Sequence, residues 1–299
     1  MKKGRLFLYS EYILVYCFYI FINLIPLNFA LFLGRILGLL YYKIDRRHAK
    51  TVINNLKIAF SDKSESELND IRNSFYKNMG MVFMEIFRLN KYNKHNIDEF
   101  VESDFSEIKK IYDARGILLL TGHLGNWELL AKTFSLKGFK GNVLARPLDN
   151  PYIEKILLKL RTKTGNNVIY NRENAVKNII SALKRKEIVG FLPDENASKR
   201  IGVFVDFFGV KACTMPGMAN IAAKTRDVVV PVFLVRKNKE EGYEKHFLIL
   251  EKPLEINYTG DRRVDTLNIL NMFNRCIEDA IRKYPDQWFW IHNRWKTRP

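Results

Sequence analysis

A histidine and a glutamate five positions apart, His123 and Glu128, stand in the segment Thr121-Gly122-His123-Leu124-Gly125-Asn126-Trp127-Glu128, which follows an apolar run and opens an apolar helical pattern. An imidazole with one nitrogen held by a carboxylate leaves its other nitrogen free to take a proton from a hydroxyl, and the carboxylate stabilises the imidazolium that forms. On a continuous helix, residues five apart are separated by about 140° around the axis and share no face. The glycines remove that obstacle. With His123 in a strand-to-helix loop and Glu128 in the first helical turn, Gly122 and Gly125 let the chain fold back until the Glu128 carboxylate accepts from the ring. Taken alone, the spacing is better met by a hydrogen-bonded loop histidine beside an acidic residue that complements a helix start.

Such a pair needs a strand before it and a helix after it, and the surrounding pattern supplies both. Residues 116–121, 142–145, 167–170, 188–192, 228–235 and 246–250 read as strands, and 126–137, 151–164, 173–186 and 215–226 as amphipathic helices. Strands and helices alternating in this way predict an α/β fold, a central and largely parallel sheet flanked by helices. Ser64 and Glu67 form a capping box that opens a helix with apolar residues at Leu68, Ile71, Phe75, Met79, Val82, Ile86 and Leu89. A last helix, carrying Leu267, Leu270, Phe273, Ile277 and Ile281, ends near Tyr284 and Pro285. With no internal repeat or Pro/Gly-rich linker, 43–299 reads as one catalytic unit.

Ahead of it, Lys2, Lys3 and Arg5 precede an apolar run over 6–25, and a second apolar stretch over 27–42 leads into Lys43, Arg46, Arg47 and Lys50. The lengths approach the roughly 20 residues that cross a bilayer, and the basic flanks suit an anionic cytosolic leaflet. We expect 1–42 to be an N-terminal membrane anchor or pair of interfacial helices. Glu11 and Arg35 are costly at a bilayer centre, which favours an interface or contact with protein. A signal peptide and a pair of buried core helices are the competing readings.

Composition narrows the function classes. The net charge of +17 favours an anionic partner, whether nucleic acid, a phospholipid surface or a phosphorylated substrate. Cys17, Cys213 and Cys276 suggest neither a disulfide framework nor a metal or redox motif and fit a reducing compartment. GxGxxG, Walker, GxSxG and HExxH motifs are all absent, which removes the simplest dinucleotide, nucleotide, serine hydrolase and zinc protease readings.

The octet around His123 resembles the H-x4-D/E motif of the glycerolipid and lysophospholipid acyltransferases. In its HLGNWE form it is similar to that of the bacterial lipid A biosynthesis acyltransferases, the late acylation enzymes of lipopolysaccharide assembly. The resemblance covers nearly the whole chain: Arg46-Arg47-His48-Ala49 with Asn54-Asn55-Leu56, Arg146-Pro147 with Asn150-Pro151, Pro193-Asp194, the run from Val203 to Gly209, and the close from Trp290 to Pro299. The chain departs from the family pattern at Glu195, where Gln or His is frequent, at Asp206, where Pro is frequent, and at Asn293, where a basic residue is usual.

The resemblance implies that His123 and Glu128 are the catalytic pair and that Arg161 and Asp194 contribute to the active site. Arg161 would hold an anionic substrate group, and Asp194 follows the strand 188–192, where such sheets place functional loops; by residue type alone they read better as a solvated helix arginine and a turn-forming aspartate. Arg146 is either a phosphate contact or a surface charge. Trp288, Phe289, Trp290 and Trp295, interleaved with Arg294, Lys296 and Arg298, would dock on the lipid interface or line a basic acceptor groove. The expected activity is O-acyl transfer from acyl carrier protein to a phosphorylated glycolipid at the cytosolic face of the inner membrane. Neither a metal nor a bound cofactor is expected, and nucleic acid is not an expected partner. The rivals are transfer to another glycolipid or amino-acid lipid, from acyl-CoA, and a non-catalytic protein that binds lipid or nucleic acid.

Overall fold

A computed structural model gives the structure and describes residues 4–171, 173–237 and 245–299; Lys2 and Lys3, the first basic flank, lie outside them. Four helices come first: α1 (Arg5–Leu24), α2 (Leu27–Ile44), α3 (Arg46–Ala59) and α4 (Glu65–Phe87). The capping box at Ser64 is formed, with the Glu67 N–H on the Ser64 hydroxyl and the Glu67 carboxylate on the Ser64 N–H. Pro26 breaks the apolar sequence between α1 and α2, fixing φ at −60° just ahead of the second helix.

The short helix α5 (Ile97–Phe100), strand β1 (Val101–Glu102) and helix α6 (Ser106–Ala114) lead into the alternating part. There β2 (Ile117–Leu120), α7 (Trp127–Leu136), β3 (Gly141–Ala145), α8 (Pro151–Thr162), β4 (Asn167–Tyr170), α9 (Ala175–Lys184) and β5 (Ile188–Phe191) follow one another as the hydrophobic pattern predicts. The chain closes with β6 (Val203–Phe207), β7 (Val210–Thr214), α10 (Gly217–Thr225), β8 (Val228–Arg236), β9 (His246–Leu250) and α11 (Arg262–Lys283). The main sheet runs β1-β9-β8-β2-β5-β3-β4. Within it only the β8–β9 pair is antiparallel.

Two-residue periodicity divides the interior. Leu118 and Leu120 point with Val189 and Phe191 into a core completed by α9, α10 and α11. Ile117 and Leu119 point with Ile188, Val230 and Val232 to the other face, which α6, α7 and α8 cover. Strands buried on both faces read as unbroken apolar runs, which is why β2 is Ile-Leu-Leu-Leu.

One pair of strands is missing from the sequence reading. β6 and β7 form a separate antiparallel hairpin with Phe207 opposite Val210, so its turn is Phe208-Gly209. Both turn residues have positive φ, 53° and 71°, as a tight two-residue hairpin turn requires. Phenylalanine carries no signal for that conformation. It is held there because its ring is buried against Phe60 and Phe207.

α2 lies directly on α4. A Cβ added at Gly34 would stand 2.7 Å from the Gly80 carbonyl oxygen, and one at Gly38 would strike the Tyr76 carbonyl. Glycine is needed for backbones to approach this closely. α1 and α2 are both long and apolar enough to cross a membrane by length and composition. Their outward faces leave Leu6, Leu14, Leu24, Phe32 and Ile44 exposed. Ile22 and Ala30 face inward, onto Met84 of α4.

Candidate active site

The site stands at the carboxyl ends of two neighbouring parallel strands. β2 and β5 pair in register with Leu120 opposite Phe191, and each chain then runs three residues further, to His123 and to Asp194. The equal overhang brings the side chains together. His123 Nδ1 lies 2.9 Å from Asp194 Oδ1, and the His123 main-chain N–H donates to Asp194 Oδ2 at 2.7 Å. Asp194, 1% exposed, takes a third hydrogen bond, from the Trp288 indole N–H at 2.8 Å. An ionised carboxylate that accepts from Nδ1–H fixes the tautomer, so the Nε2 lone pair faces outward.

This corrects the expected partner. The imidazole is held by Asp194, whereas Glu128 accepts from Arg161, whose Nε lies 2.9 Å from Oε2 and whose Nη2 reaches Oε1. His123 is in the loop and Glu128 in the first turn of α7 as anticipated, and Gly125 has φ +62°. The Gly125 N–H bonds to the Gln287 carbonyl and the Asn126 N–H to the Leu234 carbonyl, and these contacts hold the loop against β8 and the C-terminal segment. Gly122 serves a different purpose from the one inferred. A Cβ there would lie 3.0 Å from Asp194 Oδ2, so glycine makes room for the aspartate.

Electrostatics follow from this geometry. Burial pulls the His123 pKa down, but the Asp194 charge and hydrogen bond, with smaller help from Glu195 and Glu128, hold it above the ordinary imidazole value. Burial likewise pushes Asp194 up, and the imidazole charge, with the hydrogen bonds from the ring, the Trp288 indole and the His123 main chain, outweighs that and holds it at about 2. Arg161, pulled down by burial, is raised by the Glu128 carboxylate. Of the carboxylates, Glu195 comes within 4.0 Å of His123 Nε2.

The rest of the octet is structural. Asn126 caps α7 through the Leu129 N–H and donates to Glu85 of α4 at 2.8 Å. Glu85 is itself bound by His246 and Arg236 in a buried cluster. Trp127 meets the His123 ring edge-on at 5.0 Å between centroids. Beside it a narrow apolar cleft, about 40 Å³ as it stands, runs between α7 and the sheet among Leu119, Trp127, Leu130, Phe134, Val143 and Leu192.

The other candidates fall differently. Arg161 is engaged by Glu128 rather than left open for an anion. Arg146 is exposed and paired with Asp149 at 3.1 Å, which matches its surface-charge alternative. Of the C-terminal aromatics, half-buried Phe289 packs beside His123 and Trp127, and Trp295 with Lys296 and Arg298 lines a cavity of about 220 Å³ against α3. Trp288, Trp290 and Trp295 are core residues packed among themselves and with Phe207. Arg294 is fully buried, donating to the Glu195 and Cys213 carbonyls and to Thr214 Oγ1. It ties the loop after Asp194 to β7, and Asn55 of α3 holds the same terminal segment through the Trp290 and His292 carbonyls. Trp288 is the site residue that spacing could not find. It reaches Asp194 because the Phe289 N–H bonds to the His123 carbonyl and Leu124 bridges to Trp288.

Residues 1–297 match the family described as bacterial lipid A biosynthesis acyltransferase. The chain is 30% identical over 270 residues to the lipid A biosynthesis lauroyltransferase of Escherichia coli K12, covering 89% of this chain and 85% of that protein. It is 24% identical to the palmitoleoyltransferase of the same organism, over 100% of this chain and 96% of that one. Similarity to the myristoyltransferase of that organism is also 24%, over 89% and 79% of the two chains.

Proposed function

The chain belongs to the bacterial lipid A biosynthesis acyltransferase family and is an acyltransferase, and from that premise we propose that it moves a fatty acyl group from acyl carrier protein to a hydroxyl of a phosphorylated lipid A precursor. The observation that carries the reading is the His123–Asp194 contact, which leaves Nε2 as a proton acceptor next to an apolar cleft. Nε2 takes the proton of the acceptor hydroxyl as its oxygen attacks the thioester carbonyl. The tetrahedral intermediate collapses, the C–S bond breaks, and the imidazolium returns the proton to the thiolate. Asp194 stabilises the imidazolium between these events.

Glu128 and Arg161 have a supporting part in this reading: as a part-buried bidentate pair they fix the start of α7 against α8, and with it the floor of the site. The acyl chain enters the cleft beneath Trp127, which must widen to admit it. Arg146, exposed just beyond β3, would have to exchange Asp149 for an anionic substrate to take part in binding. Residues 1–42 serve as the membrane-associated segment and 43–299 as the catalytic unit, on the cytosolic side of the inner membrane. Exposed apolar faces on α1 and α2 and a net charge of +17 support that placement.

The test is expression in a host that lacks late lipid A acylation, followed by mass spectrometry of its lipid A. Gain of one acyl chain, lost in His123→Ala, is expected. Unchanged lipid A from a folded, expressed protein overturns the acceptor. Purified protein offered acyl carrier protein and coenzyme A thioesters separately then decides the donor.

A further inference from the structure

One turn beyond Glu128 on α7, Lys132 is 3% exposed and makes no hydrogen bond or ion pair with any described residue. A buried ammonium without a counter-charge is costly and calls for an explanation. Lys132 lines a cavity of about 410 Å³ between α7, the loop after α4 and the end of α8, together with Lys94, His95, Lys163 and Thr164. No acidic residue lines it. The Thr164 hydroxyl is buried there without a hydrogen-bond partner, as is the side-chain oxygen of Asn90. Burial, with Lys163 nearby, lowers Lys132 to about 8, so an arriving anion would also firm up its charge.

We infer that this cavity binds a phosphate monoester, with Lys132 as the buried cation, Lys163 and Lys94 at the rim and the Thr164 hydroxyl as a neutral donor. The group fits because a phosphate carries nearly two charges near neutral pH and three oxygens that accept from several donors at once. An apolar or cationic ligand would leave Lys132 uncompensated. Lys132 stands four residues, about 6 Å of helix, beyond Glu128, and Leu136 at the end of α7 also lines the cavity, which therefore lies outside the reaction centre. The inferred occupant is the phosphate of the acceptor glycolipid, held at a fixed offset from the hydroxyl that reacts. That identification rests on the acceptor proposed above, whereas the phosphate site itself does not.

The experiment uses the full chain in detergent. Inorganic phosphate, compared with chloride at equal ionic strength, should raise Tm by a few degrees in the wild type and not in Lys132→Met. Lys163→Gln, at an exposed position, should weaken the effect and guards against a folding defect in the first variant. Equal stabilisation of all three proteins by phosphate overturns the site. In the second arm, Lys132→Met should raise KM about tenfold or more for the phosphorylated acceptor, leave kcat near normal, and leave KM unchanged for the same acceptor after phosphatase treatment. Loss of phosphate stabilisation with no change in either KM overturns the acceptor as the occupant and assigns the site to free phosphate. A wild type that acylates neither acceptor while phosphate still stabilises it only in the presence of Lys132 overturns the acceptor reading and upholds the site.

Discussion

Trp288 donates its indole N–H to Asp194 Oδ2, 2.8 Å away, the same oxygen that accepts the His123 main-chain N–H, so Oδ1 remains for the imidazole. The tryptophan therefore acts on the catalytic geometry without touching the ring. Trp288→Phe should retain most of the packing and lose the donor, costing roughly 1–3 kcal/mol as a buried charged acceptor goes short of a partner. Thermal unfolding should report that loss, and kcat should fall with little change in KM.

Asp194→Asn should shift the pH dependence in a stated direction. On the proposed mechanism the imidazole must be neutral to accept a proton, and Asp194 raises its pKa, so the acid limb of wild-type kcat/KM should lie above the ordinary 6.5. In Asp194→Asn that limb should move to lower pH while the plateau falls by about 10²- to 10⁴-fold. Stability follows the same pair. Asp194 is depressed from 3.8 to about 2, so its contribution, roughly 2 kcal/mol, is present above pH 4 and fades as pH falls toward 2. His123 is raised, so its contribution is complete below 6.5 and fades as pH rises through the folded value. The gap in Tm between wild type and variant should be widest between about pH 4 and 6.5.

Glu128→Gln should behave differently, because its carboxylate serves Arg161. The acid limb should move much less than in Asp194→Asn, since Glu128 is the smallest of the influences on His123. Stability should drop by about 1–3 kcal/mol, as a part-buried guanidinium loses its counter-charge. Adding Arg161→Met should restore part of it, and a double-mutant cycle measures the coupling. An acid limb displaced as far as in Asp194→Asn would return Glu128 to the role of imidazole partner.

How much of this could be read from the chain differs by level. Strand and helix alternation from 116 to 250 was legible because each strand is a short apolar run and each helix amphipathic. The β6–β7 hairpin was not, since its turn depends on how the Phe208 ring packs. At the site, the loop around His123 was legible from its glycines, whereas the roles of His123 and Asp194 came from the family resemblance, and their pairing was hidden. It depends on the parallel register of β2 and β5, which no local spacing encodes. Nor did composition show that Trp288, Trp290, Trp295 and Arg294 are interior, because aromatic and basic residues together describe a buried cation cluster as well as a lipid-facing one.

Gly80→Ala should destabilise the protein by about 1–3 kcal/mol or more, because its methyl would strike the Gly34 carbonyl of α2 and neither backbone can retreat cheaply. Thermal unfolding in detergent measures the cost. Gly138→Ala, at an open position with φ +91°, is the comparison that carries backbone strain without a collision. If the two variants unfold together, the close approach of α2 and α4 contributes nothing beyond ordinary packing.

Those glycine contacts also leave α2 and α4 without slack between them. α4 carries Glu85, Glu85 holds Asn126, and Asn126 caps the helix that begins four residues after His123. With α1 and α2 associated with the membrane as proposed, their depth and tilt would be transmitted along this train as through a lever, so that bilayer thickness would set the height at which the imidazole meets an acceptor.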